Sequence, residues 1–415
     1  MKEIKITKNQ LLGTLTRLRR AFSAKSALPI LGDYVFELTG NKMTVSVCNG
    51  DDVWMSESFM LPDENITTEG DTRRGWCVNR YYIVPGLRSL EDQDITLRIQ
   101  DYQMTVIHSY GKFCMPIEDI NEYPMSYRPS FRDNTKLSRL KIEAPGMRHW
   151  LHILRTSLAD DELRPVMNGI CFKLQPEGLE MCASDGHKLV RIRKNSLSGV
   201  DNTIIIPKKA IGVLSDVLPK TGEVDFTFTG GVCHEEMDKI YGYIHKVIVT
   251  DQKAVGCIDI EIDSDTDHFL HLWFTGIDGR YPNYNRVIPA NHPYCISVDR
   301  RLMIKCLERA SVFCNTSSRM VKFDIGNDRI SFISEDADFE TSSEESIPCE
   351  SRSEDFGGQT IGIRVDNVTT LVKRLATKSI LIRFSDPSCA IIIEPEPQPE
   401  VENVTMLLMP MYIGE

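Results

Sequence analysis

The sequence predicts an α+β protein that contains three copies of one domain. The 415-residue chain repeats a unit in which a strand, a polar turn and a second strand lead into a helix. The unit spans residues 43–90, 182–218 and 330–375, so its period is about 140 residues, the size of a domain. We therefore expect domains at 1–124, 139–281 and 299–415, joined by linkers at 125–138 and 282–298.

The composition is typical of a globular protein without a membrane span. It is 41% hydrophobic and 26% charged, which is ordinary for soluble domains, and no apolar run approaches the ~20 residues of a spanning helix. The first residues lack the apolar stretch of a signal peptide. The twelve cysteines include no C-x-x-C pair, which argues against zinc and for reduced thiols. We expect a cytoplasmic protein with no metal, no cofactor and no membrane contact.

In the first domain, residues 8–22 form a predicted helix whose apolar residues recur every three to four positions. A strand is expected at 29–38, and the segment 76–90 is expected to change from strand to helix. A hairpin at 95–107 turns at residues 100–102. The short strand at 113–116 should lie at a sheet edge, because its proline cannot donate a ladder hydrogen bond.

In the second domain, a helix at 145–158 precedes a strand at 167–172 and the repeated unit at 182–218. Ser184, Asp185 and Gly186 favour a tight turn there, since Ser and Asp bond their own backbone and Gly accepts positive φ. The segment 223–276 is about 25 residues longer than its counterparts in the other repeats, and its excess is acidic from Asp259 to Asp267. We predict an extra surface hairpin or loop, without the residue pattern of an EF-hand.

The third domain repeats the order of the other two. A helix is expected at 299–313, a strand with an acidic turn at 330–338, and a strand that leads into a helix at 361–375. A hairpin follows at 380–394, and the last strand is expected at 404–413.

The distribution of charge points to an anionic partner. The chain has a net charge of −11, which by itself disfavours nucleic acid. Its six predicted helices (8–22, 78–89, 145–158, 207–218, 299–313 and 366–378) nevertheless carry 17 Lys and Arg against four acidic residues. One basic helix is usually a solvated face, but six in matching repeat positions favour a shared anionic ligand.

The sequence contains no arrangement that demands catalysis. Ser184, Asp185 and His187 are almost consecutive in a turn, whereas a catalytic triad needs residues that converge in space. No nucleophile elbow, P-loop or dinucleotide fingerprint is present. Two alternatives remain open: a hydrolase that uses Asp185 and His187, and a monomeric scaffold that binds DNA or peptides.

Short motifs recur in order along the whole chain. They are Leu28-Pro29-Ile30-Leu31, Asn168-Gly169, Ser184-Asp185-Gly186-His187-Lys188-Leu189, Ile206-Pro207-Lys208-Lys209, Gly279-Arg280-Tyr281-Pro282 followed by Tyr284 and by Arg286-Val287-Ile288-Pro289, and Met409-Pro410-Met411. On a frame of three repeats, these motifs resemble the bacterial DNA polymerase III beta subunit family, the beta sliding clamps.

The resemblance implies three domains, each with two helices packed on antiparallel β-sheets, and a head-to-tail homodimer that closes a ring around duplex DNA. Hydrated contacts to phosphate, without base readout, would let the ring slide on any sequence. The implied protein partners are the polymerase III catalytic subunit, the clamp loader, other polymerases and repair proteins, all bound through short linear motifs.

The resemblance also assigns site residues. The partner-peptide pocket would contain Met167, Ser184, Gly186, His187, Lys188, Leu189, Pro282, Arg286, Val287, Ala390, Met409, Pro410 and Met411. The DNA-facing residues would be Arg17, Arg20, Lys25, Arg80, Arg148, Arg155, Lys208, Lys209, Arg301, Lys305 and Lys373. The dimer interface would pair Phe113 and Met115 of one chain with Val312 and Phe313 of the other.

The chain departs from the family pattern at three places: near its C-terminus, before Asn168-Gly169, and in the acidic insertion within 223–276, which has no counterpart in the family pattern. Tyr412 stands where a basic residue is usual, and Gly414-Glu415 extend past the usual end. Pro165 and Val166 stand where some relatives have aromatic residues, so base stacking is not expected there.

Overall fold

The computed structural model describes the chain except for residues 24–27, 71–73, 132–136, 231, 241–242, 264–266, 290–291, 354–355, 400–401 and 414–415, and describes only the backbone at 232–240 and 243–252. Lys25, Asp265 and Gly414-Glu415 therefore lie outside the described residues. The chain forms two compact units, residues 1–148 with 206–278 and residues 149–205 with 279–415. None of the helices described is long and apolar enough to cross a bilayer.

The described chain is mostly β-strand, with six α-helices. The elements up to residue 119 are β1 (Lys2–Thr7), α1 (Lys8–Leu18), β2 (Asp33–Thr39), β3 (Lys42–Cys48), β4 (Val53–Met60), β5 (Ile66–Thr68), β6 (Gly75–Asn79), α2 (Arg80–Arg88), β7 (Asp94–Gln100), β8 (Gln103–His108) and β9 (Gly111–Asp119). Next come β10 (Leu137–Glu143), α3 (Ala144–Leu154), β11 (Gly169–Gln175), β12 (Gly178–Ser184), β13 (Lys188–Lys194), β14 (Asn202–Pro207), α4 (Lys208–Val217), β15 (Glu223–Thr229), β16 (Val232–Ile240), β17 (Tyr243–Gln252), β18 (Val255–Asp263) and β19 (His268–Thr275). The last are β20 (Tyr294–Asp299), α5 (Arg300–Ala310), β21 (Met320–Ile325), β22 (Arg329–Asp336), β23 (Thr341–Ser351), β24 (Gln359–Arg364), α6 (Val365–Val372), β25 (Ser379–Phe384), β26 (Ile391–Glu396) and β27 (Glu402–Leu408).

Each unit is built on one large antiparallel sheet. Within the described residues, the sheet of the first unit has 13 strands in the order β10-β15-β18-β19-β4-β3-β2-β6-β9-β8-β7-β1-β5. The sheet of the second unit has 12 strands in the order β14-β11-β12-β13-β27-β26-β25-β20-β23-β22-β21-β24. The predicted α+β class and the antiparallel sheets are confirmed.

Two strand pairs explain why the chain forms two compact units although three domains are predicted. In the first unit β4 pairs with β19, with Trp54 opposite Trp273. In the second unit β13 pairs with β27, with Leu189 opposite Leu407. Each ladder joins strands from neighbouring predicted domains, so a single sheet continues across the expected boundary. The division into three domains stays a prediction.

Helix α1 shows how local sequence sets an element. The Thr7 side chain accepts a hydrogen bond from the Gln10 amide at 3.3 Å and caps the N-terminus. Leu11, Leu15 and Leu18 are fully buried at the predicted spacing. A 3-10 turn at Arg19–Ala21 extends the helix, so the predicted range 8–22 is confirmed.

Three predicted strands differ from the structure because of proline. Pro29–Gly32 and Pro165–Asn168 are 3-10 turns, since a proline suits the first position of a helical turn, and their strands begin at Asp33 and Gly169. The last strand ends at Leu408 instead of reaching residue 413, because Pro410 has no amide to continue the ladder.

The edge position predicted for 113–116 is confirmed. Residues 111–116 pair with β8 alone, whereas β6 pairs only with Ile117, Glu118 and Asp119 of the same strand. Pro116 therefore lies where its missing amide costs no ladder hydrogen bond.

A hairpin is present within 223–276, as predicted, but the acidic run that begins at Asp259 lies after it in the chain. Strands β16 and β17 form a separate two-stranded sheet. Asp259 and Glu261 lie instead on β18, inside the large sheet, and Asp259 bonds Nδ1 of His271 at 2.7 Å. The sequence therefore predicted the insertion correctly and assigned the acidic run to it wrongly.

Candidate functional site

The turn between β12 and β13 is held by its own polar groups. Oδ1 of Asp185 accepts hydrogen bonds from the amides of His187 at 2.9 Å and Lys188 at 2.8 Å. The Ser184 hydroxyl donates to the Lys188 carbonyl at 3.0 Å, and Gly186 has φ of 89°. Ser184 and Asp185 thus serve the turn and form no nucleophile–base pair with His187, which contradicts the hydrolase alternative.

An apolar floor lies beside this turn. It consists of six buried residues, which we call the pocket floor: Cys182, Leu189, Tyr284, Ala390, Ile392 and Leu407. Leu189, Leu407 and Ile392 are direct register partners on β13, β27 and β26, so their side chains project from the same face of the sheet. Tyr281 and Ile288 pack against this floor.

The segment after β19 is fixed to the floor by two tyrosines. The Tyr281 hydroxyl accepts a hydrogen bond from the Ser184 amide at 3.0 Å, and the Tyr284 hydroxyl donates to Oε1 of Glu180 at 2.5 Å. Burial raises the pKa of both phenols. Burial also disfavours the Glu180 carboxylate, but hydrogen bonds from Tyr284 and Arg193 outweigh it and lower the Glu180 pKa.

The C-terminal segment forms one rim of the site. The Met409 amide donates to the His187 carbonyl at 2.9 Å, and the Met411 amide donates to the Gly362 carbonyl at 2.7 Å. Met409 is 43% exposed, and Val287 is 52% exposed. Methionine adapts its shape to different apolar partners, so this rim suits short ligands of varied sequence.

The structure brings most of the predicted pocket residues together. Leu189 and Ala390 belong to the floor, and Gly186, His187, Pro282, Arg286, Val287 and Met409 are exposed, while Ser184, Lys188, Pro410 and Met411 are half-buried. Met167 is buried in its 3-10 turn, where its backbone bonds Ala159 and Arg164. The ammonium of Lys188 is paired with Asp185 and lies 3.4 Å from Oδ1 of Asn367, so it faces inward.

The prediction missed six residues that make up or support the floor: Cys182, Tyr281, Tyr284, Ile288, Ile392 and Leu407. The two tyrosines belong to a motif that was noticed but given no role in the pocket. Ile288 belongs to the same motif, whereas Cys182, Ile392 and Leu407 lie in strand segments whose neighbouring residues are also buried, so the apolar run indicates burial but not which face lines the site.

Several predicted DNA-facing residues are held by other groups of the chain. Arg17 pairs with the buried Glu57, through Nε at 2.9 Å, and Arg20 pairs with Asp216. Arg148 donates to the Leu218 carbonyl at 2.7 Å. Lys209 donates to the carbonyls of Arg20 and Phe22 at 3.3 and 3.1 Å, and Lys373 pairs with Glu308 at 2.5 Å.

The remaining basic residues are more accessible. Arg155, Lys208, Arg301 and Lys305 are exposed, and Arg80 lies over the Phe22 ring at 4.6 Å. Within the described residues, Arg155, Arg301 and Lys305 have no ion-pair partner. These residues are the ones best able to bind phosphate, because a cation already paired with a carboxylate gains less from a second anion.

The predicted interface residues differ in exposure. Val312 is 74% and Phe313 is 37% exposed. Phe113 packs near Gly86 of α2, and Met115 is buried with 3% exposure. The backbone edge of residues 111–116 and part of the Phe113 ring are therefore open to a second chain, while the Met115 side chain is not.

Comparisons with known proteins agree with this architecture. The family model for the DNA polymerase III beta subunit central domain matches residues 141–250, and the model for its C-terminal domain matches residues 285–412. The beta sliding clamp of Synechococcus elongatus is 23% identical over 327 residues, covering 78% of this chain and 77% of the relative. That of Staphylococcus aureus is 21% identical over 420 residues, covering 99% of both chains.

Solved structures show the same fold. A sliding clamp from Pseudomonas aeruginosa with a ligand matches with a TM-score of 0.82 and 16% identity over 100% of both chains. A sliding clamp from Bartonella birtlesii bound to griselimycin matches with a TM-score of 0.79 and 21% identity over 100% of both chains. The fold is therefore that of the DNA polymerase sliding clamps.

The chain belongs to the DNA polymerase III beta subunit family, whose two matched domains together cover more than half of it.

Proposed function

We propose that two copies of the chain form a head-to-tail ring that encircles duplex DNA and tethers the replicative polymerase in the cytoplasm. Membership of the beta subunit family supports this role, as do the exposed cations Arg155, Arg301 and Lys305. Because a closed ring holds DNA topologically, weak, hydrated phosphate contacts are sufficient and no base needs to be read.

The polymerase and other partners would bind at the pocket floor. The observation that carries this proposal is the row of Leu189, Leu407 and Ile392 beside the rim formed by Met409 and Val287. An extended peptide with apolar side chains would bury those side chains there. The polymerase III catalytic subunit, the clamp loader, other polymerases and repair proteins would each present such a short segment.

Peptide binding tests the pocket directly. We expect a fluorescent peptide copied from the clamp-binding segment of the polymerase to raise its anisotropy on titration with the protein. His187→Ala and Met409→Ala should weaken binding about tenfold, the usual effect of losing a central contact. Val200→Ala, which truncates an apolar residue that is 63% exposed outside the pocket, should leave affinity unchanged. Equal affinity in all four proteins would contradict this site.

Sedimentation tests the ring. We expect a species of twice the 47.2 kDa chain mass at micromolar concentration, because the open edge at 111–116 can pair with a second chain and bury Val312 and Phe313. A monomer at these concentrations would instead support the alternative of a single-chain scaffold.

A further inference from the structure

Helix α2 presents exposed aromatic rings next to arginines. Tyr81 is 69% exposed and Tyr82 is 58% exposed, a large exposure for side chains that usually bury most of their ring. Positions 81 and 88 are seven apart, so Tyr81 and Arg88 lie on the same face of the helix, two turns apart. Together with Arg19 and Arg80, these residues form what we call the cationic–aromatic patch.

The three arginines of the patch surround the same part of the first unit. All three act on the same buried group, the Tyr34 phenol: burial raises its pKa, and the positive charges of Arg19, Arg80 and Arg88 oppose that rise. Tyr34 is itself fixed by donating to the Leu15 carbonyl at 2.7 Å. Arg19 directly follows α1, and Arg80 and Arg88 are the first and last residues of α2, so the positive charges are spread along α2 on either side of its tyrosines.

The arginines of the patch make no direct ion pair among the described residues, although Asp33 lies close enough to Arg80 for their charges to interact. Within the described residues, Arg19, Arg80 and Arg88 form no ion pair, and neither α1 nor α2 has an acidic residue in its first turn. Arg80 instead lies 4.9 Å from the centre of the Tyr81 ring and donates to its hydroxyl at 3.0 Å. This contact holds the Tyr81 ring in place while leaving most of it open to solvent.

We propose that the cationic–aromatic patch binds unpaired nucleotides of single-stranded DNA. The arginines would contact phosphates, and the rings of Tyr81 and Tyr82 would stack on exposed bases, the combination by which proteins hold single strands without reading sequence. Duplex DNA hides its base faces within its own stack, so only unpaired bases can use both rings. The proposal rests on the proposed function and adds a second mode of DNA contact to it.

Stacking on unpaired bases would give the cationic–aromatic patch a role in positioning the clamp on DNA. A clamp that contacts only the phosphates of duplex DNA slides freely. Stacking of Tyr81 and Tyr82 on bases would hold the clamp where duplex DNA gives way to a single strand. The patch would therefore favour a clamp position at the junction between primer and template.

The test compares two probes on the full-length protein: a fluorescent 20-nucleotide thymidine strand and a 20-base-pair duplex. Tyr81→Ala with Tyr82→Ala should weaken single-strand binding at least tenfold, given the usual effect of losing stacked rings, and change duplex binding less than twofold. Tyr81→Phe with Tyr82→Phe keeps both rings and should bind like the natural protein. Tyr102→Ala with Tyr110→Ala is the matched control, since these tyrosines are 77% and 88% exposed elsewhere in the same unit.

An abasic strand of the same length separates stacking from charge. It should bind the natural protein as weakly as thymidine binds the double alanine variant. Equal binding of abasic and thymidine strands, or unchanged single-strand binding by the alanine variant, would overturn the proposal. So would a monomeric alanine variant, because the rings would then belong to the interface between chains. A natural protein that sediments as a monomer or binds no partner peptide would count against the proposed function instead.

Discussion

Asp33 is a buried carboxyl group whose protonation couples stability to pH. It is 4% exposed and accepts a hydrogen bond from Nδ2 of Asn79 at 2.8 Å. Burial and then the charge of Glu118 raise its pKa to about 6, against about 3.9 in an unfolded chain. Between about pH 4 and pH 6 the folded state retains a proton that the unfolded state has lost, so stability falls as pH rises through this window.

Replacing Asp33 by Asn should remove this pH dependence. The amide oxygen of the new side chain can still accept from Asn79, and no charge has to be buried, so we expect a gain of about 1–3 kcal/mol at pH 8. The gain should shrink towards zero near pH 4. Urea unfolding midpoints at both pH values measure it, with the exposed Asp94→Asn as control. A gain of the same size at both pH values would show that charge burial is not the cause.

Interactions between residues close together in the chain could be predicted from the sequence, whereas interactions between distant residues could not. The turn at 185–187 was predicted correctly, because Ser, Asp and Gly act on their immediate neighbours. The ion pairs of Arg17 and Arg20 could not be predicted, because their partners Glu57 and Asp216 are 40 and 196 positions away. A charge count over a helix cannot reveal a carboxylate that another element supplies.

At the scale of elements, β24 holds the C-terminal rim of the pocket through a glycine. A Cβ on Gly362 would lie 2.8 Å from the Met411 carbonyl and 2.9 Å from Cγ1 of Ile413, closer than side chains pack in proteins. Gly362→Ala should therefore push the segment 409–413 away from β24 and weaken peptide binding about tenfold, by displacing a rim that contributes contacts. Anisotropy titration with the polymerase peptide measures the loss.

The matched control is Gly357→Ala, since its added Cβ has no atom within 4 Å. We expect it to bind peptide like the natural protein. Thermal unfolding of both variants separates a displaced rim from general damage: Gly362→Ala should lose affinity with a small change in Tm. Unchanged affinity in Gly362→Ala would mean that the rim does not contribute to binding.

Elements were predicted well where periodicity and capping act locally, as in α1 and the hairpin of β7 and β8. The pocket floor could not be predicted in full, because Leu189 and Leu407 are register partners from strands far apart in the chain. Hydrophobic alternation shows that each strand has a buried face, but only strand pairing decides which faces meet.

At the scale of the whole molecule, fewer of the basic residues on the helices are available to an anionic partner than the sequence predicts. Six basic helices led us to expect one broad cationic surface, yet Arg17, Arg20 and Lys373 are paired with acids. The cations left without acidic partners in the described chain are fewer, and include Arg155, Arg301 and Lys305. A sparse set of charges suits a ring that must move along DNA, because each added phosphate contact strengthens salt-dependent retention.

The salt dependence of DNA binding measures how many phosphates the protein contacts. On a short duplex, the logarithm of the association constant should fall linearly with the logarithm of salt concentration, with a slope of about 0.9 per phosphate neutralised. Replacing Arg155, Arg301 and Lys305 by Gln should reduce that slope by about one for each side chain that touches phosphate, equally for duplexes of different sequence. Arg329→Gln removes an exposed charge from β22, away from the predicted DNA-facing helices, and should leave the slope unchanged. An equal change in both proteins would show that net charge, not these three residues, determines DNA affinity.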